Sequence, residues 1–210
     1  MASVAPPASH PLQCTCGRVR GYVDNTRSAN RAVCYCRDCQ AFAHFLGRAS
    51  EVLDERGGSD IIQTLPKFLK ITSGVDSIGC MRLTPTGLVR WYSTCCSTPI
   101  GNTLINPKLS FIGLVHSCLK SRERSLDESF GPVASYVNTA GARGTPKPKA
   151  VGQGWMMARA IRSILLARLN GDYRYTPFFR SEDGAPIAAP RVLSNAERSE
   201  LMRAVEIAAR

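Results

Sequence analysis

The stretch IGCMRLTPTGLVRWYS, residues 78–93, reads as a β-hairpin. Ile78 to Leu83 and Leu88 to Ser93 are rich in strand formers. Thr84-Pro85-Thr86-Gly87 between them suits a turn, because Pro restricts φ and Gly accepts φ > 0. Toward the N-terminus, Asp60 to Thr72 (DIIQTLPKFLKIT) reads as two strands broken at Leu65-Pro66. Arg31 to Tyr35 is a short strand ending in cysteines, and Gln13 to Val23 mixes β-formers with polar residues. Toward the C-terminus, Leu109 to Cys118 is a last apolar strand. Only Gln40 to Leu46 and Ala49 to Glu55 read as short helices in this region. The pattern predicts a mainly β domain.

Past this region the texture changes. Ala140 to Ala150 (AGARGTPKPKA) has the composition of a linker, with Gly, Pro and Lys and nothing to bury. Trp155 to Leu169 places Met157, Ile161, Ile164, Leu165 and Leu169 at helical spacing, and Asn170-Gly171 is a helix stop. This helix is expected to pack its apolar side on the β domain or on a second subunit. A second helix starts at Ser194, where Ser194 and Glu197 form a capping box, and Leu201, Val205 and Ala208 make its apolar stripe. The expected organisation is a flexible tail over 1–11, a zinc-binding β domain over 12–139, a linker over 140–150 and a two-helix extension over 151–210.

The bulk numbers bound the function. A chain of 210 residues holds one ordinary domain, or a smaller domain plus an extension. No apolar run approaches the length of a membrane span. Met1 to Pro11 lacks the basic start and apolar stretch of a secretory signal, so a cytoplasmic location is expected. The net charge is +11, and residues 141–210 carry +6 of it. Excess positive charge suits anionic partners, nucleic acid among them. No tight run of Lys and Arg occurs, so a basic, soluble surface is the preferred reading.

Nine cysteines in a reducing compartment point to metal ligands or redox groups rather than disulfides. Cys14-Thr15-Cys16 is a C-x-C pair, Cys34-Tyr35-Cys36-Arg37-Asp38-Cys39 is C-x-C-x-x-C, and Cys95 and Cys96 are adjacent. Zn²⁺ takes thiolates at tetrahedral angles, so ligands arrive in close pairs from separate segments. A C-x-C pair on a regular strand points both side chains to one face. Cys34, Cys36 and Cys39 give three sulfurs from one segment and leave a fourth position open, as in catalytic zinc sites. Cys80 and Cys118 sit among apolar neighbours and read as buried, inert cysteines.

The order of these motifs resembles the glutathione-dependent formaldehyde-activating (GFA) family, which includes centromere protein V. The matching residues are Cys14 to Arg20, Cys34 to Cys39, and Arg90 through Cys96-Ser97-Thr98-Pro99-Ile100. The resemblance covers residues 12 to 118. It implies a β-tent of small antiparallel sheets around one or two zinc ions. It also implies a structural zinc on Cys14, Cys16 and a later pair, and a second zinc on Cys34, Cys36 and Cys39 as the reaction centre. The implied activity joins formaldehyde to the thiol of glutathione, or breaks that carbon–sulfur bond. The family's later motif is C-x-x-C, whose first cysteine falls on Ser93 and whose second is Cys96. Cys95 is extra. It either joins Cys96 at the structural ion or turns to the second site and closes its open position.

Other groups carry weaker signals. His44, on the helix after Cys39, is a ligand or proton carrier near the second zinc, or a helix residue with no role in it. His10 lies in the tail, and His116 lies in an apolar strand. Asp38 orients a ligand or offsets Arg37. Trp91 and Tyr92 are core aromatics. Ser-His-Asp patterns, Walker loops, dinucleotide fingerprints and paired carboxylates are missing. Two function classes follow: a zinc-dependent carbon–sulfur lyase acting on a thiol adduct, and a non-enzymatic zinc module that binds protein or nucleic acid.

Overall fold

The computed structural model describes residues 9–119 and 121–209. In chain order its strands are β1 His10–Gln13, β2 Arg20–Val23, β3 Asn30–Cys34, β4 Ser59–Thr64, β5 Leu69–Ser73, β6 Ile78–Arg82, β7 Val89–Ser93, β8 Pro99–Thr103, β9 Ile112–Val115, β10 Ser135–Val137 and β11 Arg191–Val192. The helices are α1 Arg37–Phe45, α2 Ala49–Val52, α3 Leu126–Phe130, α4 Gln153–Leu169 and α5 Asn195–Ile207. The expected hairpin forms: β6 and β7 pair antiparallel from Ile78↔Ser93 to Met81↔Arg90. The Gly87 amide closes its turn on the Thr84 carbonyl at 3.2 Å.

The strands make two sheets, one of three strands in the order β1-β2-β5 and one of eight in the order β10-β3-β4-β9-β8-β7-β6-β11. The mainly β reading holds. The break at Leu65-Pro66 is where the chain leaves one sheet for the other. Pro66 begins a 3₁₀ turn, Pro66–Phe68, because its ring fixes φ and removes a ladder donor. The core lies largely between the sheets, with Leu12, Val23 and Leu69 on one side and Ile62, Trp91, Ile100 and Leu114 on the other. Trp91 is fully buried, donates from Nε1 to Thr103 Oγ1 at 2.9 Å, and packs on Phe178 with ring centroids 4.7 Å apart. The aromatic pair therefore ties residues after 150 into this core.

Other late residues also join the sheet. β11 adds parallel to β6, and β10 adds parallel to β3. Both edge pairings were invisible in the sequence, because such short strands carry no periodicity. Val151 bridges Tyr136, and Arg143 donates its backbone N–H to the Arg56 carbonyl at 2.8 Å. The helix at Ser194 starts with the expected capping box. Its Val205, Leu201 and Met202 pack on Ala41, Phe42 and Leu46 of the α1 segment. Of the N-terminal segment 1–11, residues 1–8 lie outside the described residues. His10 is not free of the fold: it opens β1, is fully buried, and bonds Ser129 Oγ at 2.8 Å and the Leu119 carbonyl at 2.6 Å.

α4 turns only part of its apolar side to the β domain. Its buried positions are Ala160 and Ala167. Trp155 is 71% exposed and Leu169 82%, with Ile161 and Leu165 exposed between them. The helix's larger apolar side chains divide: Met156 and Ile164 are half-buried facing the sheet, whereas Trp155, Leu165 and Leu169 face outward. No helix among the described residues is long and apolar enough to cross a membrane.

Candidate metal centre

The first cysteine group forms where two turns meet. Cys14 and Cys16 sit on the turn after β1, not on a regular strand. Gly17, at φ +77°, lets that turn close, and its amide bonds the Cys14 carbonyl at 2.9 Å. The turn between β7 and β8 brings Cys95 and Cys96. Ser97 adopts φ +53°, and Ser93 N–H bonds the Thr98 carbonyl at 2.9 Å. This tight reversal lets adjacent residues present both sulfurs to one point, 3.9 Å apart. Thr15 N–H and the Thr98 hydroxyl join the two turns at 2.9 Å, and Arg48 Nη2 holds the Cys96 carbonyl at 2.6 Å.

The sulfurs of Cys14, Cys16, Cys95 and Cys96 all lie within 4.8 Å of one another. Cys14 to Cys16 is 3.6 Å, Cys16 to Cys95 is 3.3 Å and Cys14 to Cys95 is 3.9 Å. Thiolates at tetrahedral angles about a zinc ion lie about 3.8 Å apart. The donor set fits zinc. The Cys95 sulfur therefore stands with the first group, which is the first of its two readings. Ser93, where a cysteine was expected, is fully buried with its hydroxyl 3.2 Å from Cys96 Sγ. Burial raises the Cys96 thiol, but hydrogen bonds from Ser93 and Thr98 bring it down to about 5.

The second group, Cys34, Cys36 and Cys39, also lies within 4.8 Å. Cys34 ends β3. Cys36 is the N-cap of α1, its sulfur accepting from the Cys39 amide at 3.3 Å, and Cys39 lies in the first turn. A helix N-terminus favours the thiolate form that binds metal. Hydrogen bonds from Cys36 and Cys39 hold the Cys34 thiol far below its ordinary range, helped by Asn138 Nδ2, which donates to it at 3.3 Å. The same bonds push Cys36 up, and the bond to Cys34 pushes Cys39 up to about 11. This donor set also fits a metal ion, with three protein sulfurs.

The second group opens on a cavity of about 440 Å³ between α4 and one face of the eight-stranded sheet. Period-2 alternation builds that face. Gln63, Gly113, Asn102 and Arg90 lie opposite one another across β4, β9, β8 and β7, and Ala32 pairs with Ile61 beside them. Arg90 is 2% exposed, donates from Nη1 to Asn102 Oδ1 at 3.1 Å, and lies 3.7 Å from Asp38. Its Nε is buried without a hydrogen-bond partner. The cluster at the site thus includes Arg90 and Asn138, which the cysteine spacing could not point to. Arg90 heads the third matching motif, Arg90 through Ile100, and its charge inside a strand of apolar neighbours was a further signal.

Asp38 faces Arg90, whereas Arg37 pairs with Glu206 of α5. His44 does not line the cavity. Its Nε2 is buried without a partner, and burial, then the charge of Arg143, lowers its pKa. Cys80 and Cys118 are buried, with sulfurs on the Ala188 and Val115 carbonyls, and burial raises both thiols. His116 lies on a 3₁₀ turn after β9 rather than within the strand. Tyr92 packs edge-on against Phe45.

The model of a family of unknown function, DUF6151, matches residues 7–189, and the chain belongs to that family. The match contains both cysteine groups, α4 and Phe178. No curated protein matches the chain.

Proposed function

We propose that this member of the family of unknown function is a zinc-dependent carbon–sulfur lyase-like enzyme. Its substrate is the adduct of glutathione, or another thiol, with formaldehyde or a related aldehyde. One observation carries this reading: the four-sulfur group can satisfy a tetrahedral ion alone, whereas the three-sulfur group can supply only three ligands and faces a cavity. The motif order from Cys14 to Ile100, which resembles the GFA family, supports the same division of labour.

In the lyase direction the carbon–sulfur bond breaks, the adduct's hydroxyl becomes the aldehyde carbonyl, and its proton passes to the departing sulfur. Cys34, Cys36 and Cys39 would hold a zinc ion, which would supply Lewis acidity to stabilise a thiolate or polarise a carbonyl. The chain's own residues orient and shield. Asn138 fixes the Cys34 sulfur through a hydrogen bond of 3.3 Å. Arg90, held by Asn102 and facing Asp38, places a positive charge beside the thiolates. Apolar side chains from the sheet and α4 keep bulk water from the reacting end.

The test is exchange spectroscopy by NMR on glutathione and formaldehyde mixed with zinc-loaded protein. Faster interconversion of free and adducted glutathione, lost in Cys36→Ala, is expected. Unchanged exchange with glutathione and with simple thiols would overturn the reading. The exposed apolar side of α4 favours a second reading, a non-enzymatic zinc module for protein or nucleic acid. DNA affinity that falls steeply with salt would support its nucleic-acid form.

A further inference from the structure

The cavity beside the three-cysteine group is built unlike a site for a peptide. Its walls are largely aliphatic or aromatic, with Ile61, Phe111 and Val137 from the sheet and Met156, Ile161 and Ile164 from α4, and Gln63, Asn102 and Asn138 add neutral polar groups. The charged side chains that line it are Asp38 and Arg90, and these face each other. Glutathione carries two carboxylates and an ammonium, so such walls would leave its charges unpaired. The size falls within the range of about 300–1,000 Å³ usual for small-ligand sites.

Arg90 is the second observation. A buried guanidinium is costly unless its donors and charge are met. Here one donor goes to Asn102, Asp38 stands at 3.7 Å, and Nε has no partner. The guanidinium also packs over the Phe42 ring, 5.4 Å from its centroid, so Nε is the donor left without a partner. A ligand oxygen at this end would complete its partners. Gly113, opposite Gln63 and Asn102, leaves the middle of the row without a side chain. A Cβ there would lie 2.9 Å from Ile61 Cγ2.

We propose that this cavity binds a small, mainly apolar molecule with one acceptor oxygen: a medium-length aliphatic aldehyde or its thiol adduct. The oxygen meets the Arg90 guanidinium, the carbon chain lies along α4, and the reacting end faces Cys34, Cys36 and Cys39. The assignment of the reacting end rests on the lyase reading above; binding of the chain does not. Formaldehyde itself needs no such volume, so the cavity names the part of the substrate that the cysteine motifs leave open.

The test uses straight-chain carboxylates as unreactive probes, titrated calorimetrically into zinc-loaded protein. From butanoate through hexanoate to octanoate, each added methylene should tighten binding about fourfold, as expected for ~0.8 kcal/mol per buried CH₂. Met157→Trp and Ala160→Phe, which fill the cavity from α4, should each weaken octanoate about tenfold or more. Zinc content and melting temperature of the variants report that the fold is kept. Arg90→Met should weaken octanoate far more than octanol, and Arg90→Lys should recover part of the difference. Affinity that does not change along the series, or cavity-filled variants that bind octanoate as the parent does, would overturn the proposal. Chain-length-dependent binding without any lyase activity would keep the cavity assignment and remove the enzyme reading. Activity on formaldehyde adducts with a flat chain series would do the reverse.

Discussion

Replacing Cys95 tests the division of the seven clustered cysteines most sharply. Its sulfur lies 3.3 Å from Cys16 and 3.9 Å from both Cys14 and Cys96. Cys95→Ala removes one of four donors from a group that joins two turns. Structural zinc binding contributes about 10–16 kcal/mol to small domains, and the binding energy is folding energy. One ligand in four therefore corresponds to about 3–4 kcal/mol. In a chain of this size each kcal/mol lowers the melting temperature by about 2–4 °C, so a fall of about 10 °C is expected. The assay is zinc content by mass spectrometry together with calorimetric melting. It is run in the parent protein and in a Cys36→Ala background, where the first group alone can retain zinc. Cys95→Ala should then leave the remaining zinc open to removal by a much weaker chelator. An unchanged melting temperature would refute the assignment, as would zinc lost from the three-cysteine group on Cys95→Ala alone.

Asn138→Ala removes the donor to Cys34, so chelator competition should show zinc at the three-cysteine group held about tenfold less tightly, with the other group unaffected. Trp91→Ala leaves a void in the main core beside Phe178, and urea unfolding should show a loss of about 3–5 kcal/mol. Glu197 is held down to about 2 by the Ser194 amide and by Arg191. A lowered carboxylate stabilises the folded state above its ordinary value and loses that effect as pH falls through its folded value. Hydrogen exchange at the start of α5 should therefore accelerate between about pH 4 and about pH 2, and Glu197→Gln should remove that pH dependence. Cys118→Ala should leave zinc content unchanged, because its sulfur bonds only backbone carbonyls.

Much of the mainly β fold was legible because alternation and turn chemistry are local. The turn at Thr84 to Gly87, the break at Pro66 and the capping box at Ser194 each depend on a few neighbouring residues. α4 was legible as a helix but not in its packing. Its periodicity marks an apolar side, yet the buried positions are two alanines and much of that side stays exposed. The short strands β10 and β11 carry too few residues for a pattern, and sheet edges are chosen by long-range pairing.

The candidate site divides in the same way. Residue type and spacing by themselves determined that Cys14, Cys16, Cys34, Cys36, Cys39, Cys95 and Cys96 are candidate metal ligands, since thiolate chemistry resides in the side chain. Which cysteines stand together was a tertiary matter: only the reversal at Ser97 brings both Cys95 and Cys96 to Cys14 and Cys16. The cavity is tertiary too. It is lined by four in-register strands, by β3 and β10 at their side, and by a helix more than a hundred residues from the first cysteine cluster. No local pattern encodes that meeting, because it exists only once the sheet has formed and α4 has covered it.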